Sequence, residues 1–206
     1  DGLTVRPDRH GRWTRRMSSI EDYMASLADR FRPGSGSGGP VIALMEMAGD
    51  LPAMDPALKT DETLFHGCQS RVWLDLRADQ DTGTVRVAAD SDARIMRGLL
   101  SIAVSLYDGR SFGEVAATPP DRLREAGLIE LLAPSRANGF HRLLKHIHGY
   151  GAALAAERAR SEELLANQSD ADVNVLRNEY ALQTDRTAAA HACALAEARL
   201  LYGDDL

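Results

Sequence analysis

Hydrophobic positions recur at two spacings along this chain, and the change from one to the other marks its organisation. In MSSIEDYMASLADRF, from Met17, Ile20, Met24, Leu27 and Phe31 fall three to four residues apart, which predicts a helix. VIALMEMAGDLP, from Val41, predicts a short buried helix stopped by Gly49 and Pro52, and DPALKTDETLFHG follows as a loop. From Ser70 the spacing becomes two: Val72, Leu74 and Leu76 share one face and Arg71, Trp73, Asp75 and Arg77 the other, as in a half-buried strand. DQDTG reads as a turn, and TVRVAA returns with Val85 and Val87 alternating against Arg86, so the two runs predict an antiparallel hairpin.

The helical spacing then resumes. SDARIMRGLLSIAVSLYDG predicts a helix with Ser91 as N-cap, Asp92 in the first turn, a core stripe of Ile95, Leu99, Ile102 and Leu106, and Gly109 at its end. SFGE has the spacing of a capping box between Ser111 and Glu114. DRLREAGLIELL predicts a helix with Leu123, Leu128, Leu131 and Leu132 on one face. Pro134 and Ser135 break it, and RANGFHRLLKHIHGYGAALAA restarts with Phe140, Leu143, Leu144, Ile147 and Leu154 inward. The order is that of an α+β domain: a small antiparallel sheet of about three strands with helices packed on one face.

Composition divides the chain further. PGSGSGGP, residues 33–40, has the makeup of a flexible tether, setting off an N-terminal segment, 1–32, whose first 16 residues are Arg-rich and without period. The Ala- and Glu-rich stretch 157–206 predicts a helical C-terminal extension of two helices, which leaves 41–156 as the central domain. The 206 residues are 44% hydrophobic with a net charge of −6, which speaks against the basic footprint that nucleic acid requires. No apolar run is long enough for a membrane span, and no secretory signal is evident, so the expected compartment is the cytoplasm and both cysteines are expected as thiols.

The candidate chemistry lies in HGCQSRVWLDL, residues 66–76. Cys68 sits between a glycine and the polar pair Gln69 and Ser70, just ahead of a strand, a context suited to presenting a thiol. Gly67 allows unusual backbone angles or close approach, Gln69 and Ser70 are suited to bond the loop backbone, and extended spacing sets His66 on the side of Cys68. A thiol nucleophile must be partly ionised, and an ordinary one has a pKa of about 8.5. The local candidates for lowering it are loop N–H groups, Arg71 and His66. Cys193, in AAAHACALAEA, reads as an alanine-sized helix filler, and His141, His146 and His148 as surface histidines rather than metal ligands.

GCQSRVWL (67–74), DSDARIMRGLLSIAVSLYDG (90–109) and LAPSRANGF (132–140) together resemble the SufE family of sulfur acceptor proteins, in order and at about its spacings. The resemblance spans roughly residues 41–156. It implies a SufE-like fold in which Cys68 lies on a loop at one tip, takes a persulfide sulfur from a cysteine desulfurase, stimulates that enzyme, and passes the sulfur to an iron-sulfur scaffold complex. Pyridoxal phosphate then belongs to the partner and this chain carries no cofactor; it is a carrier and activator rather than a stand-alone enzyme. Asp92 and Arg136 match positions the family keeps near the cysteine loop. The chain departs from the pattern at His66, where a proline is usual, at the Gly/Ser tether, and beyond Glu157. Two other readings stand beside this one: an adaptor that tunes a desulfurase without carrying sulfur, and a thiol hydrolase, for which no base and oxyanion-hole pattern is visible.

Overall fold

The structure is a computed structural model that describes residues 6–7, 13–14, 19–32, 34, 39–125, 127–128 and 132–166. Two short pairs of residues, β1 (Arg6–Pro7) and β2 (Trp13–Thr14), run antiparallel within the segment that shows no period in sequence. Strands this short leave no alternation to read. Helix α1 (Ile20–Arg30) starts where Ser19 accepts a hydrogen bond from the Asp22 N–H, and it buries the expected Ile20, Met24, Leu27 and Phe31 together with Tyr23.

Helix α2 (Gly39–Met47) differs from the expectation of a buried helix. Leu44 and Met47 point inward, but Val41 and Ile42 are 45% and 49% exposed, because α2 lies at the edge, packed chiefly on α3 (Arg94–Tyr107) and tied to α1 by the Arg30–Glu46 ion pair. The two helices approach closely at Gly98, where any Cβ would collide with the Leu44 carbonyl. α3 is itself buried on nearly every side, with Met96, Leu100, Ala103, Val104 and Tyr107 enclosed as well as the expected stripe residues Leu99, Ile102 and Leu106. It lies between α2 and the sheet, so a single stripe undercounts its contacts.

The sheet is the predicted hairpin. Strand β3 (Val72–Asp79) pairs antiparallel with β4 (Thr84–Ser91), in register from Val72 opposite Ser91 to Asp79 opposite Thr84. Val72, Leu74 and Leu76 are buried, as their spacing requires. The turn uses Gly83 at φ +65°, and the Asp79 carboxylate accepts from the Thr82 N–H. These are the two full strands among the described residues. Single bridges extend the sheet on both edges, Leu64 opposite Trp73 and Ser111 opposite Thr84.

β4 runs through Ser91, so Ser91 ends a strand instead of capping α3; its hydroxyl donates to the Arg71 carbonyl oxygen at 2.7 Å and accepts from the Ala93 N–H. Asp92 accordingly precedes the first turn of α3, and Ala93 occupies the cap position. Gly109 at φ +67° ends α3 as predicted. The capping box of Ser111 and Glu114 opens α4 (Phe112–Ala116). The next helix is shorter than expected: α5 spans only Arg122–Glu125, followed by Gly127 at φ +72°, although Leu123 and Leu128 are buried.

Pro134 begins the last helix. α6 (Pro134–Ala166) takes proline into its first turn, where the missing N–H costs nothing, and continues through residue 157 without a break. Phe140, Leu143, Leu144, Ile147 and Leu154 are buried as expected. Expectations for Cys193 and the rest of 167–206 lie outside the described residues.

Candidate functional site

Two well-anchored segments bracket the cysteine. On the leading side, the Phe65 N–H donates to the Val72 carbonyl and the Leu74 N–H to that of Thr63, at 2.7 and 2.8 Å. These bonds turn the chain back against β3. Further upstream, Lys59 and Arg97 both pair with the buried carboxylate of Asp90, which also accepts from the Ser91 N–H. Burial alone would raise the pKa of Asp90, but hydrogen bonds from Lys59 and the Ser91 N–H and the charges of Arg97 and Lys59 outweigh it and hold the group below its ordinary value. On the trailing side, Asp92 accepts from the Arg71 N–H at 3.1 Å and its own N–H donates to the Arg71 carbonyl.

Between these anchors, residues 65–68 run along α6. Three positions of the helix, three and four residues apart and therefore on one face, meet the segment in succession. Gly139 lies against Cys68: a Cβ there would be 2.9 Å from Sγ and 3.1 Å from the Gly67 carbonyl oxygen. Arg142 lies against Gly67, whose own Cβ position is 3.6 Å from the guanidinium carbon and 3.2 Å from the Phe65 ring. His146 meets Phe65, with ring centroids 5.9 Å apart. Gly67 takes φ +156°, a backbone conformation that residues with a side chain rarely adopt, and a Cβ there would also press on the Phe65 ring.

Cys68 is a free thiol, half-buried, with its side chain against the edge of the core. Burial raises its pKa, and the positive charge of Arg142 acts in the opposite direction without cancelling the rise. The thiol therefore rests in its protonated form while seated on α6.

The sequence candidates distribute unevenly around this seat. Gly67 is in it. His66 and Gln69 are exposed, and among the described residues neither Gln69 nor Ser70 forms the expected side-chain hydrogen bond to the loop. Asp92 belongs to the trailing anchor. Arg71 places its guanidinium over the Trp73 ring, 4.8 Å from the centroid, and Lys59 approaches the same ring at 5.7 Å. Arg136 is exposed one helical turn before Gly139, with no side-chain hydrogen bond or ion pair to a described residue. The cation acting on the sulfur is Arg142, which sequence reasoning passed over along with Gly139 and Phe65. Gly139 did carry a signal, since a glycine inside a helix costs about 1 kcal/mol relative to alanine and implies a close neighbour. The histidines of α6 have separate surroundings: His148 Nε2 lies 3.0 Å from the Ala116 carbonyl oxygen, and burial and Lys145 lower the pKa of His141.

Comparison with known proteins places the chain in a family. The chain is 33% identical over 107 residues to an uncharacterized SufE-like protein of Rhizobium meliloti, covering 50% of this chain and 76% of that one. It is 38% identical over 111 residues to the chloroplastic quinolinate synthase of Nicotiana tabacum, covering 52% of this chain but only 15% of that protein. It is also 35% identical over 102 residues to the chloroplastic/mitochondrial SufE-like protein 1 of Arabidopsis thaliana, with coverage of 50% and 27%. The fold is similar to the solution structure of a hypothetical protein from Thermus thermophilus, at 18% identity and a TM-score of 0.53, covering 66% of this chain and 96% of the other. No helix among the described residues is long and apolar enough to cross a membrane. The SufE family model, described as an Fe-S metabolism associated domain, matches residues 26–150, well over half the chain, and the chain belongs to the SufE family.

Proposed function

We propose that Cys68 accepts a sulfane sulfur from a pyridoxal-phosphate-dependent cysteine desulfurase, stimulates that enzyme, and delivers the sulfur to an iron-sulfur scaffold. In the transfer, the Cys68 thiolate attacks the outer sulfur of the partner's persulfide. The S–S bond to the partner breaks, the partner's cysteine leaves as thiolate and takes up a proton, and Cys68 becomes the persulfide. The observation that carries this reading is the half-buried thiol on a short segment anchored at both ends and resting on a helix glycine. A protonated, sheltered thiol is a poor nucleophile, so docking of the partner must lift it from the seat and expose it to a new environment before it reacts. His66, Gln69, Asp92 and Arg136, exposed around the loop, are the proposed contacts for the partner. The compartment we propose is the cytoplasm.

Intact-mass measurement after incubation with desulfurase and cysteine tests the reading. The expected result is one added sulfur on the wild-type chain, mapped to Cys68, and none on Cys68→Ser. Added sulfur on Cys68→Ser overturns the assignment. No adduct on the wild type together with faster partner turnover makes the chain an adaptor.

A further inference from the structure

We infer that Arg142 is a positioning residue for the loaded protein: its guanidinium holds the Cys68 persulfide at the α6 seat and keeps the outer sulfur from small thiols until a protein acceptor displaces the loop. This rests on the sulfur-acceptor reading and names the residue that would retain the sulfur.

The geometry supplies three parts. Gly139 has no side chain, and the sulfur lies 2.9 Å from the point where a Cβ would stand, closer than a side chain would allow. Arg142 stands one turn further along the same face, with its guanidinium against Gly67, the residue bonded to Cys68. Both belong to a continuous helix of 33 residues, so the backbone that carries the charge does not depend on the loop.

Chemistry makes this charge selective for the loaded state. A hydropersulfide is a stronger acid than the corresponding thiol, so at neutral pH the loaded group is an anion whereas the seated thiol keeps its proton. A cation does little for the neutral thiol and attracts the anion. Of the other charged or titratable groups on the elements packed here, His66, Lys145 and Arg136 are exposed, Arg71 lies over Trp73, and His146 meets Phe65 at a tilt.

The test loads the full chain without a desulfurase, in a Cys193→Ser background. Inorganic polysulfide is the donor: the Cys68 thiolate attacks an S–S bond of the polysulfide, gains one sulfur, and releases the shortened polysulfide anion. Glutathione then removes that sulfur, its thiolate attacking the outer atom with Cys68 thiolate as the leaving group, and intact mass follows the loss with time. Arg142→Gln is expected to lose sulfur about two- to fivefold faster than the parent, the range a partly exposed ion pair supports, and Arg142→Lys at an intermediate rate. Circular dichroism and thermal melts establish that each variant is folded, and the charge-retaining lysine variant guards against a packing artefact. Equal lifetimes in the parent and Arg142→Gln overturn the inference. So does a lysine variant as fast as the glutamine one, because packing and not charge would then hold the sulfur. Since loading uses polysulfide, failure of a desulfurase to load Cys68 would count against the proposed function and leave this result standing.

Discussion

The anchors on either side of Cys68 and the four residues around it are built on opposite terms. Upstream, Asp90 fastens Lys59 and Arg97, and backbone bonds fix Thr63 and Phe65 to β3; downstream, Asp92 and Ser91 hold both backbone groups of Arg71. From His66 to Gln69, by contrast, no side chain forms a hydrogen bond to a described residue, and the thiol is held by packing against Gly139. The contrast teaches how a loop proposed to move can do so without disturbing its domain. Polar bonds are concentrated in the anchors, and the tip rests on packing contacts alone among the described residues.

Removing the firmest anchor should have the largest effect. Asp90→Ala leaves two cations without their shared carboxylate, and because Lys59 and Arg97 are about a third exposed the expected loss is roughly 2–3 kcal/mol in a denaturant melt. The same group predicts a pH dependence. Its folded pKa lies below the unfolded value of about 3.9, so its stabilisation is complete above that value and fades as pH falls through the folded pKa. Melts below about pH 4 should therefore show a loss in the wild type that Asp90→Asn, already lacking the charge, does not share.

Asp92→Ala, at the exposed trailing anchor, should cost about 1 kcal/mol by the loss of one charge-assisted bond to the Arg71 N–H, measured in the same melt. At the tip the balance shifts from stability to reactivity. Gly139→Ala places a methyl 2.9 Å from Sγ, forcing the sulfur off its seat while gaining about 1 kcal/mol of helix propensity. The expected outcome is iodoacetamide labelling of Cys68 several-fold faster than wild type with stability changed by about 1 kcal/mol or less. Gln69→Ala should change stability by less than about 0.5 kcal/mol. A Gln69→Ala loss as large as that of Asp90→Ala would erase the distinction between anchor and tip.

Much of this organisation was legible in the chain. Alternation at Val72, Leu74 and Leu76 identified β3, Gly109 marked the end of α3, and the Ser111–Glu114 spacing identified a cap, because each is a local rule acting within a few residues. Expectations failed where distant parts decided the outcome. Ser91 ends β4, its hydroxyl bonded to the carbonyl of Arg71, the residue just before the opposite strand, instead of capping the helix beside it. The exposed face of α2 arises from its position at an edge, although its composition reads as buried.

The site divides in the same way. Sequence alone singled out the atom proposed to react, the Cys68 sulfur, since the cysteine and the motif around it are contiguous. It also determined the α+β class, since periodicity is a short-range property. Tertiary structure alone decided what the sulfur rests on and which charge it feels: Gly139 and Arg142 are more than 70 residues away in sequence, and Arg71, three residues away, is turned onto Trp73. The physical reason is range. Backbone preference and hydrophobic period act between neighbours, whereas burial and electrostatic field depend on whatever the fold brings within a few ångströms.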